Sequence, residues 1–157
     1  GLITLPVYSW QHTVVVRPDH PLADLPSNRA EALSLTELAK YPIVTYDHAF
    51  SGRTAIDEAF ANEGLTPDIV LEAIDADVIK TYVDVGLGIG IIAGMAFDPR
   101  RDKGLVGLPA GHLFGTHQTR VAVKEGMFIR DYLYVLLEML NPDLGRDVIE
   151  AALNENN

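Results

Sequence analysis

The sequence has no cysteine, a single tryptophan and no apolar run long enough to cross a membrane. Without cysteine the chain forms no disulfide and offers no thiolate ligand to a metal ion. This composition is compatible with the cytoplasm, where we expect the protein to act. The first ten residues, GLITLPVYSW, lack the basic and apolar segments of a secretory leader, so the sequence predicts none.

Basic residues are also scarce, with 12 Lys and Arg against 22 Asp and Glu and a formal net charge of −10 at pH 7. An acidic surface repels the phosphate backbone, so we do not expect this chain to bind nucleic acid itself. Apolar residues make up 48% of the 157, enough for a packed core in one domain or two small lobes.

The segment Ala73–Met95 organises the predicted fold. Its apolar residues recur at helical spacing from about 76 to 85, with Asp75 at the N-cap position and Gly86 at the end. Ile89–Ala93 is a short apolar run, typical of a strand buried on both faces, and a shorter strand precedes the helix. This strand–helix–strand unit predicts an α/β fold with a parallel sheet.

The rest of the chain continues the alternation of strands and helices. We expect strands at 13–16, 43–46, 105–108 and 119–123, helices at 35–39, 53–62, 128–140 and 146–153, a surface loop at 22–31 and a linker at 109–116.

Ser51, Gly52 and Arg53 stand at the start of a predicted helix. A hydroxyl, a flexible backbone and a guanidinium at the positive end of a helix suit an anion. The alternative, an N-cap followed by a surface arginine, is the more common arrangement.

No residue pattern predicts catalysis, a cofactor or a metal site. Asp75 and Asp77 are two positions apart, so on a helix they do not face each other as a proton-sharing pair. The five histidines do not have the spacing of a helical zinc site. We therefore expect a protein that is not an enzyme.

Tyr8 and Trp10 flank Ser9 near the first strand, where period-two spacing puts both rings on one face. They are equally consistent with core aromatics and with the lining of a cleft.

Several stretches are similar to a known family: PVYSW, VVVRPDHPLA, YPIVTYDHAFSGR, IDADVIKTYVDVGLGIGIIAGMA and IRDYLY. Together they resemble the effector-binding domain of LysR-type transcriptional regulators. Within that family they look like the CysB/Cbl branch, which regulates cysteine biosynthesis and sulfur assimilation. The similarity extends over nearly the whole chain.

The resemblance implies a periplasmic-binding-protein-like (type 2) fold of two α/β subdomains, with subdomain II complete and subdomain I partial. Residues 1–7 would be a crossover, 8–109 subdomain II, 110–114 a hinge and 115–157 the returning part of subdomain I. It also implies a homo-oligomer, and DNA binding only through an N-terminal winged helix-turn-helix outside this chain.

The resemblance also implies site residues, position by position. Tyr8 and Trp10 match residues involved in the inducer response, and Ile74 falls where a threonine helps to bind sulfate. Isoleucine cannot donate a hydrogen bond, which counts against sulfate. The implied effector-binding set is Tyr8, Trp10, Thr45, Phe50, Ser51, Gly52, Arg53, Ile74 and Asp75.

The expected function is a ligand-sensing regulatory domain for a small anionic effector, such as O- or N-acetylserine, sulfate or a related compound. The alternative with the same fold is a solute-binding protein of a transport system. For the returning segment, 115–153, we expect no strand partner within the chain. Its apolar helix would then pack unnaturally on its own lobe or against another copy.

Overall fold

The computed structural model describes residues 1–25 and 33–154. No helix in this part of the chain has the length and hydropathy to cross a membrane. Two short 3-10 turns, Pro21–Asp24 and Gly94–Ala96, accompany the main elements. These are β1 (Leu2–Val16), α1 (Leu35–Leu38), β2 (Ile43–Tyr46), α2 (Ser51–Asn62), β3 (Ile69–Ala73), α3 (Ala76–Asp84), β4 (Ile89–Ala93), β5 (Val106–Pro109), α4 (Gly111–Phe114), β6 (Thr116–Lys124), α5 (Asp131–Leu140) and α6 (Arg146–Asn154).

The chain divides into two compact units. The central unit is Gln11–Thr116, and the terminal unit combines Gly1–Trp10 with the described residues of His117–Asn157. Strand β1 runs through the boundary, so its first part belongs to the terminal unit and its last part to the central unit.

The central unit contains a mixed five-stranded sheet in the order β3-β2-β4-β1-β5. Strand β2 pairs in parallel with both β3 and β4, whereas β1 is antiparallel to β4 and β5. The predicted strand–helix–strand unit around Ala73–Met95 is confirmed, with β3 and β4 on either side of β2.

Side chains alternate across this sheet and fill a core on each face. Val14 and Ile91 lie in a cluster with Ile56 and Phe60 of α2. Their neighbours along the strands, among them Val15, pack on the other side against α3. The sheet is therefore covered by helices on both faces, which explains why its central strands are mostly apolar.

Both ends of α3 follow the sequence prediction. Asp75 is the N-cap, and its carboxylate accepts hydrogen bonds from two backbone amides of the first turn. At the other end Gly86 has φ +87°, and its amide donates to the Val83 carbonyl over 2.9 Å. Leu87 donates to the Tyr82 carbonyl over 3.0 Å, which completes a Schellman motif.

The terminal unit has a core of its own. Strand β6 pairs with β1, and the Arg120 side chain donates to the Thr4 hydroxyl over 3.0 Å. Between them and the last two helices lie the buried side chains Leu5, Val7, Val123, Ile129, Leu137, Leu144 and Ile149.

The expectation that the returning strand lacks a partner within this chain is therefore wrong. Its partner is the first part of β1, which begins at Leu2 and not at Thr13. Ile3, Leu5 and Val7 are buried in strict alternation, but Pro6 interrupts the β-branched pattern and hid the strand.

Two predicted irregular segments are also partly ordered. Residues Pro21–Asp24 form a 3-10 turn with Leu22 buried, and the His20 Nδ1 atom accepts from the Leu22 amide. Most of the rest of the predicted 22–31 loop lies outside the described residues. The predicted 109–116 linker contains α4, whose Phe114 is buried.

We expect Gly88→Ala to destabilise the protein, because an added Cβ would overlap the backbone carbonyl of Pro42. That carbonyl accepts the Ile89 amide at the start of β4, so it has little freedom to move. Overpacking of this kind costs about 1–3 kcal/mol. At Gly104 the added Cβ meets only the carboxylate end of Asp84, so Gly104→Ala should stay within about 0.5 kcal/mol. Urea unfolding measures the free energy of unfolding of both variants. Equal decreases in the two would contradict the close contact between Gly88 and Pro42.

Candidate functional site

Strands β2 and β3 end side by side, and we call the region at their carboxyl ends the edge of the site. Helices α2 and α3 both start from it. The Asp47 amide donates to the Ala73 carbonyl over 3.1 Å, which ties the ends of the two strands together. The Tyr46 hydroxyl accepts from the Ala93 amide at the end of β4. The loops that leave this edge lead directly into α2 and α3, the position where open parallel sheets bind ligands.

Helix α2 begins without a side-chain cap. Its N-cap residue is Phe50, so Ser51 is the first helical residue and the interpretation of Ser51 as the cap is wrong. Ser51 is exposed, and the Phe50 ring is 40% exposed and 5.7 Å from the Tyr46 ring. The first turn of this 12-residue helix therefore presents backbone N–H groups that no side chain of the cap residue occupies.

Arg53 is buried, and each nitrogen of its guanidinium has a partner within the unit. Nε donates to Asp57 over 2.8 Å, and one terminal nitrogen donates to the Tyr46 carbonyl and to Glu72 over 2.8 and 2.7 Å. The other lies 3.1 Å from Nε2 of His48. Burial acts to lower the pKa of Arg53, but the hydrogen bonds to the two carboxylates outweigh it and the pKa is raised. Arg53 is thus neither a surface arginine nor a guanidinium free to receive an anion.

Ile74 and Asp75 connect β3 to α3 at the same edge. Asp75 Oδ1 accepts from the Asp77 amide over 2.6 Å and from the Val78 amide over 3.4 Å, which confirms its predicted capping role. Ile74 follows the last residue of β3, and its side chain is 76% exposed. An exposed isoleucine here places an apolar surface next to the start of α3.

Two further candidates in the central unit lie inside the structure. Thr45 is 0% exposed, and its hydroxyl donates to the Ile91 carbonyl over 2.9 Å. Gly52 is buried in the first turn of α2. The candidate residues of this edge that solvent reaches are Phe50, Ser51, Ile74 and Asp75.

Tyr8 and Trp10 belong to the terminal unit. Tyr8 is 43% exposed, and Trp10 is half-buried, with its ring centroid 4.6 Å from that of His117. Neither is among the buried side chains of the core of this unit. The structure thus favours accessible aromatic side chains over core aromatics.

The sequence did not reveal a second charged cluster, centred on Lys80. Its ammonium contacts Asp77 over 2.8 Å, Asp102 over 3.0 Å and the Ala96 carbonyl over 2.9 Å. Burial acts to lower the pKa of Lys80, but the hydrogen bonds that its ammonium donates to Asp77 and Asp102 outweigh it and the pKa is raised. The spacing of Asp77 and Lys80 signals half of this cluster, whereas Asp102 comes from a distant turn. The cluster lines a surface cavity of about 300 Å³ and fixes that turn against α3.

The edge of the central sheet therefore offers hydrogen-bond donors, an aromatic ring and an aliphatic side chain. Within the described residues, no group of three or more His, Asp or Glu side chains is arranged to hold a metal ion. This combination suits the binding of a small molecule that has both a charged group and a carbon skeleton.

A family model for the LysR substrate binding domain matches residues 1–144. The chain belongs to this family. It is 55% identical over 97% of its length to the HTH-type transcriptional regulator CysB of Burkholderia cenocepacia, and covers 47% of that protein. It is 53% identical over 98% of its length to the HTH-type transcriptional regulator SsuR of the same organism, and covers 48% of it. The chain thus spans about half the length of these curated relatives.

The solved cofactor-binding domain of the Cbl transcriptional regulator has a similar structure. The TM-score is 0.85 at 38% sequence identity, over 97% of this chain and 64% of that one. The resemblance to the LysR family and its CysB/Cbl branch is confirmed, as is the periplasmic-binding-protein-like α/β fold.

We expect Arg53→Met to destabilise the protein strongly, because it removes the guanidinium that pairs with both Asp57 and Glu72. Loss of one partner from a buried ion pair costs about 3–5 kcal/mol. Since Asp57 and Glu72 are 36% and 34% exposed, we expect about 2–3 kcal/mol here.

The matched control is Arg17→Met, which removes a 43% exposed arginine paired with Asp19. It should cost less than about 1 kcal/mol. Chemical denaturation measures the free energy of unfolding of the two variants. Similar decreases in both would show that the ion pairs of Arg53 do not stabilise the fold more than an exposed pair does.

Proposed function

We propose that this chain is the ligand-sensing regulatory domain of a LysR-type transcriptional regulator that controls sulfur assimilation or cysteine biosynthesis. The relatives named CysB and SsuR support this, at 55% and 53% identity. The structural observation that carries it is the shared edge at which α2 and α3 begin, with Phe50, Ser51 and Ile74 accessible.

The proposed effector site uses the edge residues in two ways. Phe50, Ser51 and Ile74 contact the effector, together with backbone amides of the first turn of α2. Thr45, Gly52, Arg53 and Asp75 position that turn and the start of α3 through packing and the hydrogen bonds described above. For the terminal unit, the proposal assigns Tyr8 and Trp10 a role in the effector response.

The anionic group of the effector binds the amides at the start of α2 and not the Arg53 guanidinium. Helix N-termini attract anions because their first N–H groups are unsatisfied and the helix dipole is positive there. Arg53 is neutralised by Asp57 and Glu72. Phe50 and Ile74 add apolar contacts, so an effector with a short carbon skeleton, such as O- or N-acetylserine, fits better than bare sulfate.

In this proposal the effector binds one of two arrangements of the regulator more tightly than the other and so shifts the equilibrium towards it. DNA is bound by an N-terminal domain outside this chain, and the regulator works in the cytoplasm as a homo-oligomer. The boundaries from the resemblance, with subdomain II at 8–109, are part of the same proposal. The net charge of −10 is consistent with delegating DNA contacts to another domain.

We expect Ser51→Pro to weaken anion binding about tenfold or more, because proline removes one amide donor. Proline is well tolerated at the first helical position, and Phe50 before it is already extended, with φ −98° and ψ 131°. Folding should therefore be unchanged. Isothermal titration with O-acetylserine, N-acetylserine and sulfate measures the affinities.

Ser51→Ala is the control for that experiment, since it removes the hydroxyl but keeps the amide. Retained affinity in Ser51→Ala together with loss in Ser51→Pro supports the amide site. Unchanged affinity in the proline variant would rule out this part of the proposal, as would binding of none of the three compounds to the unaltered chain.

We expect Ile74→Thr to strengthen sulfate binding, because threonine adds a hydrogen-bond donor at the start of α3. One hydrogen bond is worth about 1 kcal/mol, or about fivefold in affinity. Val70→Thr is the control, since Val70 is 42% exposed and lies near the opposite end of β3. Thermal-shift titration with sulfate compares the three proteins, and an equal response of all three would contradict a role for Ile74 in selecting the effector.

A further inference from the structure

The loop that leads into α2 carries a histidine placed against the ion pairs of Arg53. His48 Nδ1 lies 3.3 Å from the Asp57 carboxylate on α2, and Nε2 lies 3.3 Å from Oε1 of Glu72 on β3. Nε2 is also 3.1 Å from a terminal nitrogen of Arg53. We call these four residues the His48 cluster. The His48 side chain is 65% exposed, against 4% for Arg53, so it is the member that exchanges protons with solvent most directly.

The contact with Arg53 defines the protonation state of His48 in this structure. A guanidinium has donors only, so Nε2 is the acceptor and the proton of a neutral imidazole is on Nδ1, beside Asp57. Nε2 and Glu72 Oε1 then face each other over 3.3 Å as two acceptors. A proton added at Nε2 would lie next to the Glu72 carboxylate.

Protonation of His48 changes the formal charge of the cluster. In the neutral form Arg53 supplies one positive charge, and Asp57 and Glu72 supply two negative charges, which leaves −1. The imidazolium adds one positive charge and brings the sum to zero. Loss of a negative charge favours a nearby anion through the Coulomb interaction, which acts over about a Debye length.

The cluster lies at the beginning of α2, where the anion site is proposed. Arg53 belongs to the first turn of the helix, and its amide donates to the Phe50 carbonyl over 3.0 Å. The Phe50 amide in turn donates to the Asp47 carbonyl over 3.1 Å, so the loop folds back onto the end of β2. The Asp47 carboxylate accepts from the Ala49 amide over 2.9 Å and adds a further negative charge to this loop. An anion at the first turn therefore meets a local excess of negative charge, which a proton on His48 reduces.

We propose that His48 links anion binding at the start of α2 to the uptake of a proton. This inference rests on the proposed function, because it takes the amides of α2 as the anion site. The imidazolium strengthens binding and, by linkage, a bound anion favours the imidazolium to the same extent. Histidine is the side chain whose charge ordinarily changes between about pH 5 and 8, so the affinity for the anion rises as the pH falls through this range.

Isothermal titration of the unaltered chain with N-acetylserine at about pH 6, 7 and 8 tests the linkage. The carboxyl group of this compound is ionised throughout that range, so its own charge stays constant. We expect an affinity at least about threefold higher at the lowest pH than at the highest. Titrations in two buffers of different ionisation enthalpy measure the proton uptake, which should be a fraction of one proton per site.

His48→Gln is the decisive variant, because the amide oxygen of glutamine accepts from Arg53 as Nε2 does but takes up no proton at these pH values. It should bind with the high-pH affinity of the unaltered chain throughout. His20→Asn is the matched control, since asparagine replaces the Nδ1 atom that accepts from the Leu22 amide. His20 lies beside Pro42, which precedes the amino-terminal end of β2, so this variant should keep the pH dependence. Circular dichroism checks that both variants are folded.

NMR of the His48 ring in the unaltered chain gives a second measurement that needs no variant. Its ¹³C–¹H signal, followed against pH with and without N-acetylserine, should show that the bound compound extends the protonated form to higher pH. An unchanged titration of the ring on binding would overturn the inference.

The outcomes separate the inference from the proposed function. Binding of equal affinity at the three pH values, or a pH dependence that persists in His48→Gln, would overturn the inference and leave the proposed function in place. Absence of binding at every pH would overturn both.

Discussion

The parallel pairing of β2 with both β3 and β4 is the constraint on which the rest of the central unit depends. Ile43, Val44 and Thr45 are all 0% exposed, so this short strand is buried on both faces as well as along both edges. A strand in that position requires crossover helices. Once β2 is in place, α2 and α3 must both start from the same edge of the sheet, and the accessible residues of the site follow from that.

Arg53 holds this edge together, and its guanidinium is therefore not available to bind an anion. It joins the end of β2, a carboxylate of β3 and a carboxylate of α2 through one buried guanidinium. Such a tie fixes the first turn of α2 relative to the strands. The positive charge is balanced locally, which leaves oriented backbone amides as the attractive feature for an anion.

Local sequence signals predicted much of this arrangement. Asp75 and Gly86 delimit α3 because an N-cap and a left-handed glycine have physical requirements that few residues meet. The short runs of β2 and β4 were equally clear, since a strand buried on both faces consists mostly of apolar and β-branched residues. These elements define the ends of the strands from which α2 and α3 begin.

Tertiary interactions decided what the sequence left hidden. The role of Arg53 depends on Glu72, which is 19 positions away and on another element. Lys80 likewise depends on Asp102, and the first part of β1 was masked by Pro6. The apolar stripe of α5 was visible, but a helix with two apolar faces does not reveal which of them meets its own core.

The proposed function depends on the binding of an anionic effector at the start of α2. Amide chemical shifts of the ¹⁵N-labelled chain, followed during titration with O-acetylserine and with sulfate, test it most directly. We expect saturable shifts at Ser51, Gly52 and Ile74. Shifts confined to the Lys80 cavity or to α5, with the amides of Ser51 and Gly52 unmoved, would contradict it.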